Sequence, residues 1–151
     1  MTRILMVCLG NICRSPLAEG ILRSKLSSKN FTIDSAGTGN YHVGDLPDKR
    51  SIKIGNKYGI DITNQRGRQF KVSDFDAFDI IYAMDSSNYT NIIKLARNQE
   101  DVAKVKQILN EVYPNKNFDV PDPYTGGILG FENVFKMLDE ACEIIATKLN
   151  E

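Results

Sequence analysis

A cysteine, five intervening residues, an arginine and a serine make up the segment best suited to chemistry: Cys8-Leu9-Gly10-Asn11-Ile12-Cys13-Arg14-Ser15-Pro16. Backbone N–H groups of a tight loop can curl around an anion, and a helix that starts at the end of the loop adds a favourable dipole. Gly10 and Asn11 are residue types that accept the left-handed backbone such a loop requires. Arg14 offers a planar fork able to hold two oxygens of a phosphate at once. The same positive surroundings favour the thiolate of Cys8, the nucleophilic form of cysteine. Ser15 can donate a hydrogen bond to that sulfur and make it a better leaving group. A lone cysteine is more often a buried packing residue. That plainer reading leaves unexplained the agreement of spacing, glycine and Ser-Pro start.

The loop gains meaning from the elements that would position it. Arg3–Cys8 is a short apolar run that reads as a buried strand. Ser15–Ser28 reads as a helix, with Ser15 as cap, Pro16 at the first helical position, and Leu17, Ile21, Leu22 and Leu26 on one face. Phe31–Ser35 is a second strand, closed by Ala36-Gly37-Thr38-Gly39. Pro47–Tyr58 is expected to be helical, ending at Gly59. Asp79–Met84 is a third strand, followed by helices over Asp85–Ala96 and Val102–Tyr113. Phe118–Val120 is a brief fourth strand, and Phe131–Leu149 a long last helix striped by Phe131, Val134, Phe135, Leu138, Cys142, Ile145 and Leu149. This alternation implies an α/β domain with a parallel sheet. Such sheets bind ligands at the carboxyl ends of their strands. The Cys8 loop leaves the first strand there, and the Asp122 loop is expected to leave the fourth.

Bulk properties narrow the function classes. The chain has 151 residues, with 19 basic and 19 acidic side chains and a formal net charge of zero. That size suits one domain over residues 1–151. The balance of charge argues against nucleic-acid and membrane-surface partners, although a local basic patch is compatible with it. No apolar run approaches the roughly 20 residues needed to span a bilayer, and the N-terminal run is too short for a signal peptide. A cytoplasmic location is therefore expected. Three cysteines, Cys8, Cys13 and Cys142, argue against a disulfide framework in that compartment. With one histidine, His42, and no Cys-x-x-Cys pair, a structural metal site has little support. Cys142 reads as core and His42 as an exposed loop residue.

Phosphate ester cleavage needs a proton donor for its leaving group. Asp122, stiffened between Pro121 and Pro123, is one candidate. Asp-Pro also marks ordinary turns, so the residues alone leave both readings of Asp122 open.

The loop resembles the signature Cys-x-Gly-Asn-x-Cys-Arg-Ser-Pro of the low-molecular-weight protein tyrosine phosphatase family. The resemblance continues through Ser35-Ala36-Gly37-Thr38, Leu46-Pro47-Asp48, Arg68-Gln69, Met84-Asp85 and Asp122-Pro123-Tyr124. It implies a four-stranded parallel sheet with helices on both faces and flavodoxin-like strand order 2-1-3-4. It also implies a metal-free, cofactor-free phosphatase acting on phosphotyrosine proteins or small aryl phosphates, as a monomer or weak dimer. In that scheme Cys8 is the nucleophile, Arg14 the phosphate clamp and Asp122 the general acid. Leu9, Gly10, Asn11, Ile12, Cys13 and Ser15 line the phosphate site, and Tyr41 and Tyr124 wall the pocket. The resemblance further implies that Cys13 can form a protective disulfide with Cys8. Where mammalian members carry a histidine behind the loop, this chain has Gln65, expected to join Asn11 and Ser35 in a hydrogen-bond network.

Three rivals can be weighed on residues. Protein-arginine phosphatases of the family carry threonine where this chain has Ile12. A thioredoxin-linked arsenate reductase needs more cysteines in mid-chain than are present. A non-catalytic phosphate-binding module would have lost Cys8, Arg14 or Asp122, and all three are retained.

Overall fold

The computed structural model describes residues 1–124 and 127–151. Its centre is β1 (Thr2–Cys8), in which Ile4, Leu5, Met6 and Val7 are all fully buried. A strand apolar on both sides belongs in the middle of a parallel sheet covered on both faces. β1 pairs in parallel with β2 (Phe31–Gly37) on one side and β3 (Ile80–Ala83) on the other, and β3 pairs with β4 (Val105–Gln107). The order β2-β1-β3-β4 is the 2-1-3-4 arrangement expected.

Alternate side chains of β1 feed two cores, as the two-residue period of a strand requires. Ile4, Met6 and Cys8 pack with α1 (Arg14–Lys25), α2 (Lys49–Lys57) and α6 (Ile128–Leu149), including Leu17, Ile21, Ile54 and Phe131. Leu5 and Val7 pack with Phe70, with Phe75 of α3 (Asp74–Ala77) and with Ile92 of α4 (Ser86–Ile93). Cys142 is fully buried on the α6 stripe, in the core as anticipated. None of the described helices is long and apolar enough to cross a membrane.

Two elements differ from expectation. The helix over Val102–Tyr113 is instead the last turns of α5 (Gln99–Lys104), strand β4 and a 3-10 turn at Ile108–Glu111. Phe118–Val120 is not a strand. It contributes one ladder-like bond, from Val120 N to Met84 O (2.9 Å), after Asn115 and Asn117 adopt positive φ values of 65° and 54°. Asn tolerates that left-handed region, and the two residues turn the chain just before Phe118. The Asp122 loop therefore does not leave β4. It reaches the carboxyl edge of the sheet by crossing past the end of β3.

The first helix also begins earlier than read. α1 starts at Arg14 with Cys13 as its cap residue and no side-chain cap bond. Ser15 is unavailable for capping because its hydroxyl faces the Cys8 sulfur at 3.0 Å. Pro16 sits in the first turn, where its missing N–H would have had no helical partner.

Candidate active site

The carboxyl end of β1 runs straight into the turn Leu9–Cys13, which wraps back over Cys8. Asn11 takes φ 57° and directs its N–H at the Cys8 sulfur, 3.3 Å away. Thr38 N and Gly39 N bond Cys8 O and Leu9 O at 2.9 Å each, so the turn is sewn to the end of β2. Gly37 permits that approach: a Cβ there would lie 2.6 Å from Leu9 O. The uncapped start of α1 leaves N–H groups to face an anion in the loop.

Behind the loop lies a directional chain of hydrogen bonds. Asn11 Nδ2 donates to Ser15 Oγ (2.8 Å) and Ser35 Oγ (3.0 Å), and Asn11 Oδ1 accepts from Arg68 N (3.0 Å). With a lone pair of Ser15 Oγ taken by Asn11, the Ser15 proton is free to point at sulfur, its alternative acceptor Ala36 O being 3.5 Å off. Ser35 in turn donates to Glu19 Oε1 (2.7 Å), and Arg23 pairs with the other Glu19 oxygen at 3.1 Å. Gln65 joins as expected, donating from Nε2 to Pro16 O (3.0 Å) with its Oε1 3.4 Å from Ser35 Oγ. Burial is the main cause that pushes the Glu19 carboxyl up to about 7, against the opposing Ser35 bond and Arg23 charge.

Arg14 is 2% exposed and held from two sides. Its Nη1 donates to Asp85 Oδ2 (2.7 Å) and Val120 O (2.8 Å). Burial works against its charge, but the charge of Cys8, the Asp85 hydrogen bond and the Asp85 and Asp122 charges outweigh it and leave its pKa raised. Asp85 is itself fixed as the cap of α4, accepting from Asn88 N at 2.7 Å. Asp122 Oδ2 stands 3.8 Å from Arg14 Nη2, and its Oδ1 accepts from Tyr124 N at 3.0 Å.

These groups bound a cavity of about 180 Å³ lined by Cys8, Arg14 and Asp122 together with Leu9, Gly10, Ile12, Cys13, Tyr41, His42 and Tyr124. Of the residues expected here, Asn11 and Ser15 lie behind the lining, as supports for the sulfur. Tyr41 is 72% exposed and Tyr124 49% exposed, so the wall faces open solvent. Burial foremost, reinforced by the negative charges of Asp48, Cys8 and Asp122, pushes the Cys13 thiol up to about 12. It is thus a neutral thiol beside Cys8, and both are free.

Such an arrangement can bind a dianionic tetrahedral group at the loop, attack it with sulfur and exchange a proton through Asp122. The profile of the low molecular weight phosphotyrosine protein phosphatases matches residues 3–151. The chain belongs to that family. A low molecular weight phosphotyrosine protein phosphatase of Schizosaccharomyces pombe is 43% identical over 90% of this chain and 89% of its own. The human protein of the same description is 36% identical over 96% and 94%. The crystal structure of a protein tyrosine phosphatase from Entamoeba histolytica, with Hepes in its active site, superposes with a TM-score of 0.92 at 37% identity. It covers 99% of this chain and 97% of that one.

Three residues of this phosphatase-family site carried no role in the sequence reading. Asp85, read only as part of a matching dipeptide, braces Arg14; an Asp at a strand-to-helix junction was the signal. Glu19 lies four residues from both Ser15 and Arg23, one helical face, but such a pair reads as a surface ion pair. His42 was placed on an exposed loop; the structure brings it to the cavity wall, held to Asp45 at 3.1 Å and tilted toward the Tyr124 ring.

Proposed function

We propose that this protein hydrolyses phosphotyrosine in proteins, and small aryl phosphates, through a cysteinyl-phosphate intermediate. One observation carries the reading: the Cys8 sulfur, facing Ser15 Oγ at 3.0 Å and accepting from Asn11 N at 3.3 Å, sits in one small cavity with Arg14 and Asp122. The phosphoryl group rests in the loop, its oxygens met by backbone N–H groups and by the Arg14 fork. Sulfur attacks phosphorus, the S–P bond forms and the P–O bond to the aryl group breaks. Asp122, protonated, gives its proton to the departing oxygen. In the second step a water oxygen attacks phosphorus, its proton passes to the Asp122 carboxylate, and the S–P bond breaks. Cys8 returns as thiolate, assisted by the Ser15 hydroxyl, and inorganic phosphate leaves. Both steps run on side chains and backbone amides alone.

The walls suit an aromatic ester. Ile12, Tyr41 and Tyr124 offer apolar and aromatic surface beside the loop. Ile12 presents no polar atom to a phosphoguanidinium, which supports phosphotyrosine over phosphoarginine. The test is phosphate release from a phosphotyrosine peptide and from a phosphoarginine peptide, in the presence of EDTA, by the wild type and by Cys8→Ser. Phosphotyrosine turnover that survives chelation and is lost in Cys8→Ser is the expected outcome. Faster phosphoarginine turnover, or full activity in Cys8→Ser, would overturn the reading.

A further inference from the structure

A second and larger hollow lies against the first. It measures about 630 Å³ and runs between α2 and the start of α6, lined by Lys49, Arg50, Lys53, Ile54, Asn56, Lys57, Ile128, Phe131 and Glu132. Its floor is apolar: Ile54 and Phe131 are buried, and Ile128 is 58% exposed at the lip. Four cations and a single carboxylate line it, in a chain whose net charge is zero. Glu132 is already matched by Lys57 at 3.0 Å and by the Tyr58 hydroxyl. Among the described residues, Lys49 and Lys53 have no carboxylate within ion-pair distance.

α2 opens with Lys49 and Arg50, and its dipole is met by the carboxylate of its Asp48 cap. That carboxylate also pairs with the Arg50 guanidinium at 3.1 Å, so Lys49 and Lys53 are the cations of this groove that remain for an anionic partner. The hollow also continues the catalytic wall. Arg50 lines it, donates to Tyr124 O at 2.8 Å, and lies 5.6 Å from the Tyr124 ring and 4.5 Å from the Phe131 ring. Asp48, the cap of α2, donates its N–H to Ile12 O of the phosphate loop at 2.8 Å. The two cavities thus share a wall.

We propose that this groove binds the polypeptide flanking the phosphotyrosine of a protein substrate and selects flanks that combine acidic with large aliphatic residues. The proposal rests on the phosphatase reading of the Cys8 cavity. The acidic side chains would pair with Lys49 and Lys53, and the aliphatic ones would cover Ile54, Ile128 and Phe131. Rim charges of this kind steer encounter and set preference among partners. The small cavity recognises the phosphorylated ring, and the groove discriminates between proteins that carry it.

The test pairs two readouts. Binding of fluorescent phosphotyrosine peptides is measured by anisotropy on the Cys8→Ser protein, with Asp and Leu flanks or with Ser and Ala flanks. It is repeated with Lys49→Glu and Lys53→Glu added. Turnover of p-nitrophenyl phosphate, which fills the Cys8 cavity alone, is followed in proteins that retain Cys8. The expected result is about tenfold tighter binding of the Asp/Leu peptide at low salt, lost on charge reversal, with p-nitrophenyl phosphate turnover changed less than about twofold. Equal affinity for the two peptides, or a preference that survives charge reversal, overturns the groove. So does loss of anionic vesicle binding on charge reversal with no peptide discrimination. Failure to turn over p-nitrophenyl phosphate counts against the Cys8 reading, while the binding arm still decides the groove.

Discussion

The floor and the wall of the Cys8 cavity are built on opposite plans. In the floor, Asn11 spends both of its amide protons and its carbonyl oxygen on protein partners, and Arg14, Ser15, Glu19 and Ser35 are buried with it. In the wall, Asp122 is 47% exposed and is held by one backbone bond and a 3.8 Å approach to Arg14, while Tyr41 stands largely in solvent. The chemical step needs reacting atoms fixed closely, which the floor supplies through fully satisfied polar groups. The wall must admit and release substrate, and a sparsely tethered surface permits that. The difference teaches that the sulfur is held by Ser15, which touches it, and by Asn11, Ser35 and Glu19 behind Ser15, whereas Asp122 is held mainly by its own loop.

That contrast can be broken or sharpened by substitution. The largest effect is expected at the floor. Arg14→Ala should lower kcat/KM on phosphotyrosine peptides on the order of 10³-fold, since it removes the charge that stabilises the transferring phosphoryl group. It also leaves Asp85 unmatched. Steady-state kinetics check this, and a loss below tenfold would contradict a clamp role. Next is Asp122→Asn in the wall, expected to cost about 10² in kcat while phosphate and vanadate still bind. The loss should shrink as the leaving phenol becomes more acidic, and a loss independent of the leaving group would contradict proton donation.

Glu19 tests whether the buried chain carries a pH signature. Its folded pKa is raised to about 7 from an ordinary 4.5. Between those values the unfolded chain holds fewer protons than the folded one, so stability falls as pH rises through the window. The cost at pH 8 is about 3 kcal/mol relative to a neutral group at the site. Glu19→Gln should flatten the dependence of unfolding free energy on pH between about 4.5 and 7, as read by urea denaturation. An unchanged slope would place the ionisation elsewhere. The smallest effect is expected from Tyr124→Ala. It should raise KM several-fold for aryl substrates with kcat little changed, because a half-exposed ring contributes about 1 kcal/mol of contact. A fall in kcat alone would move Tyr124 into the chemical step.

Legibility in the sequence followed the same divide between contiguous and assembled features. The phosphate loop is nine consecutive residues between a strand and a helix, so spacing and residue type were enough to find it. The long last helix was legible for a similar reason, since α6 spans 22 residues with an apolar stripe, whereas the strand order came from the family resemblance and not from the pattern. β4 was hidden because an edge strand of three residues is too short to display a two-residue period. The apolar residues around it, Val102, Val105, Ile108, Leu109 and Val112, imitate a helical face. Asp85, Glu19 and His42 were hidden for another reason. Their roles arise from separations of 16 to 82 positions along the chain that only the fold closes, Glu19 bonding Ser35 at 16, Asp85 bonding Arg14 at 71 and the His42 ring facing the Tyr124 ring at 82.

The central claim is that the Cys8 sulfur takes the phosphoryl group in a covalent intermediate. Its most direct test is rapid acid quenching of Asp122→Asn during turnover of p-nitrophenyl phosphate, followed by peptide mapping by mass spectrometry. Without the Asp122 base the second step slows and the intermediate accumulates. The account predicts one added phosphoryl group on the peptide containing Cys8, absent when Cys8→Ser is introduced. A phosphoryl group on another residue, or turnover with no adduct on Cys8 under the same quench, would contradict it.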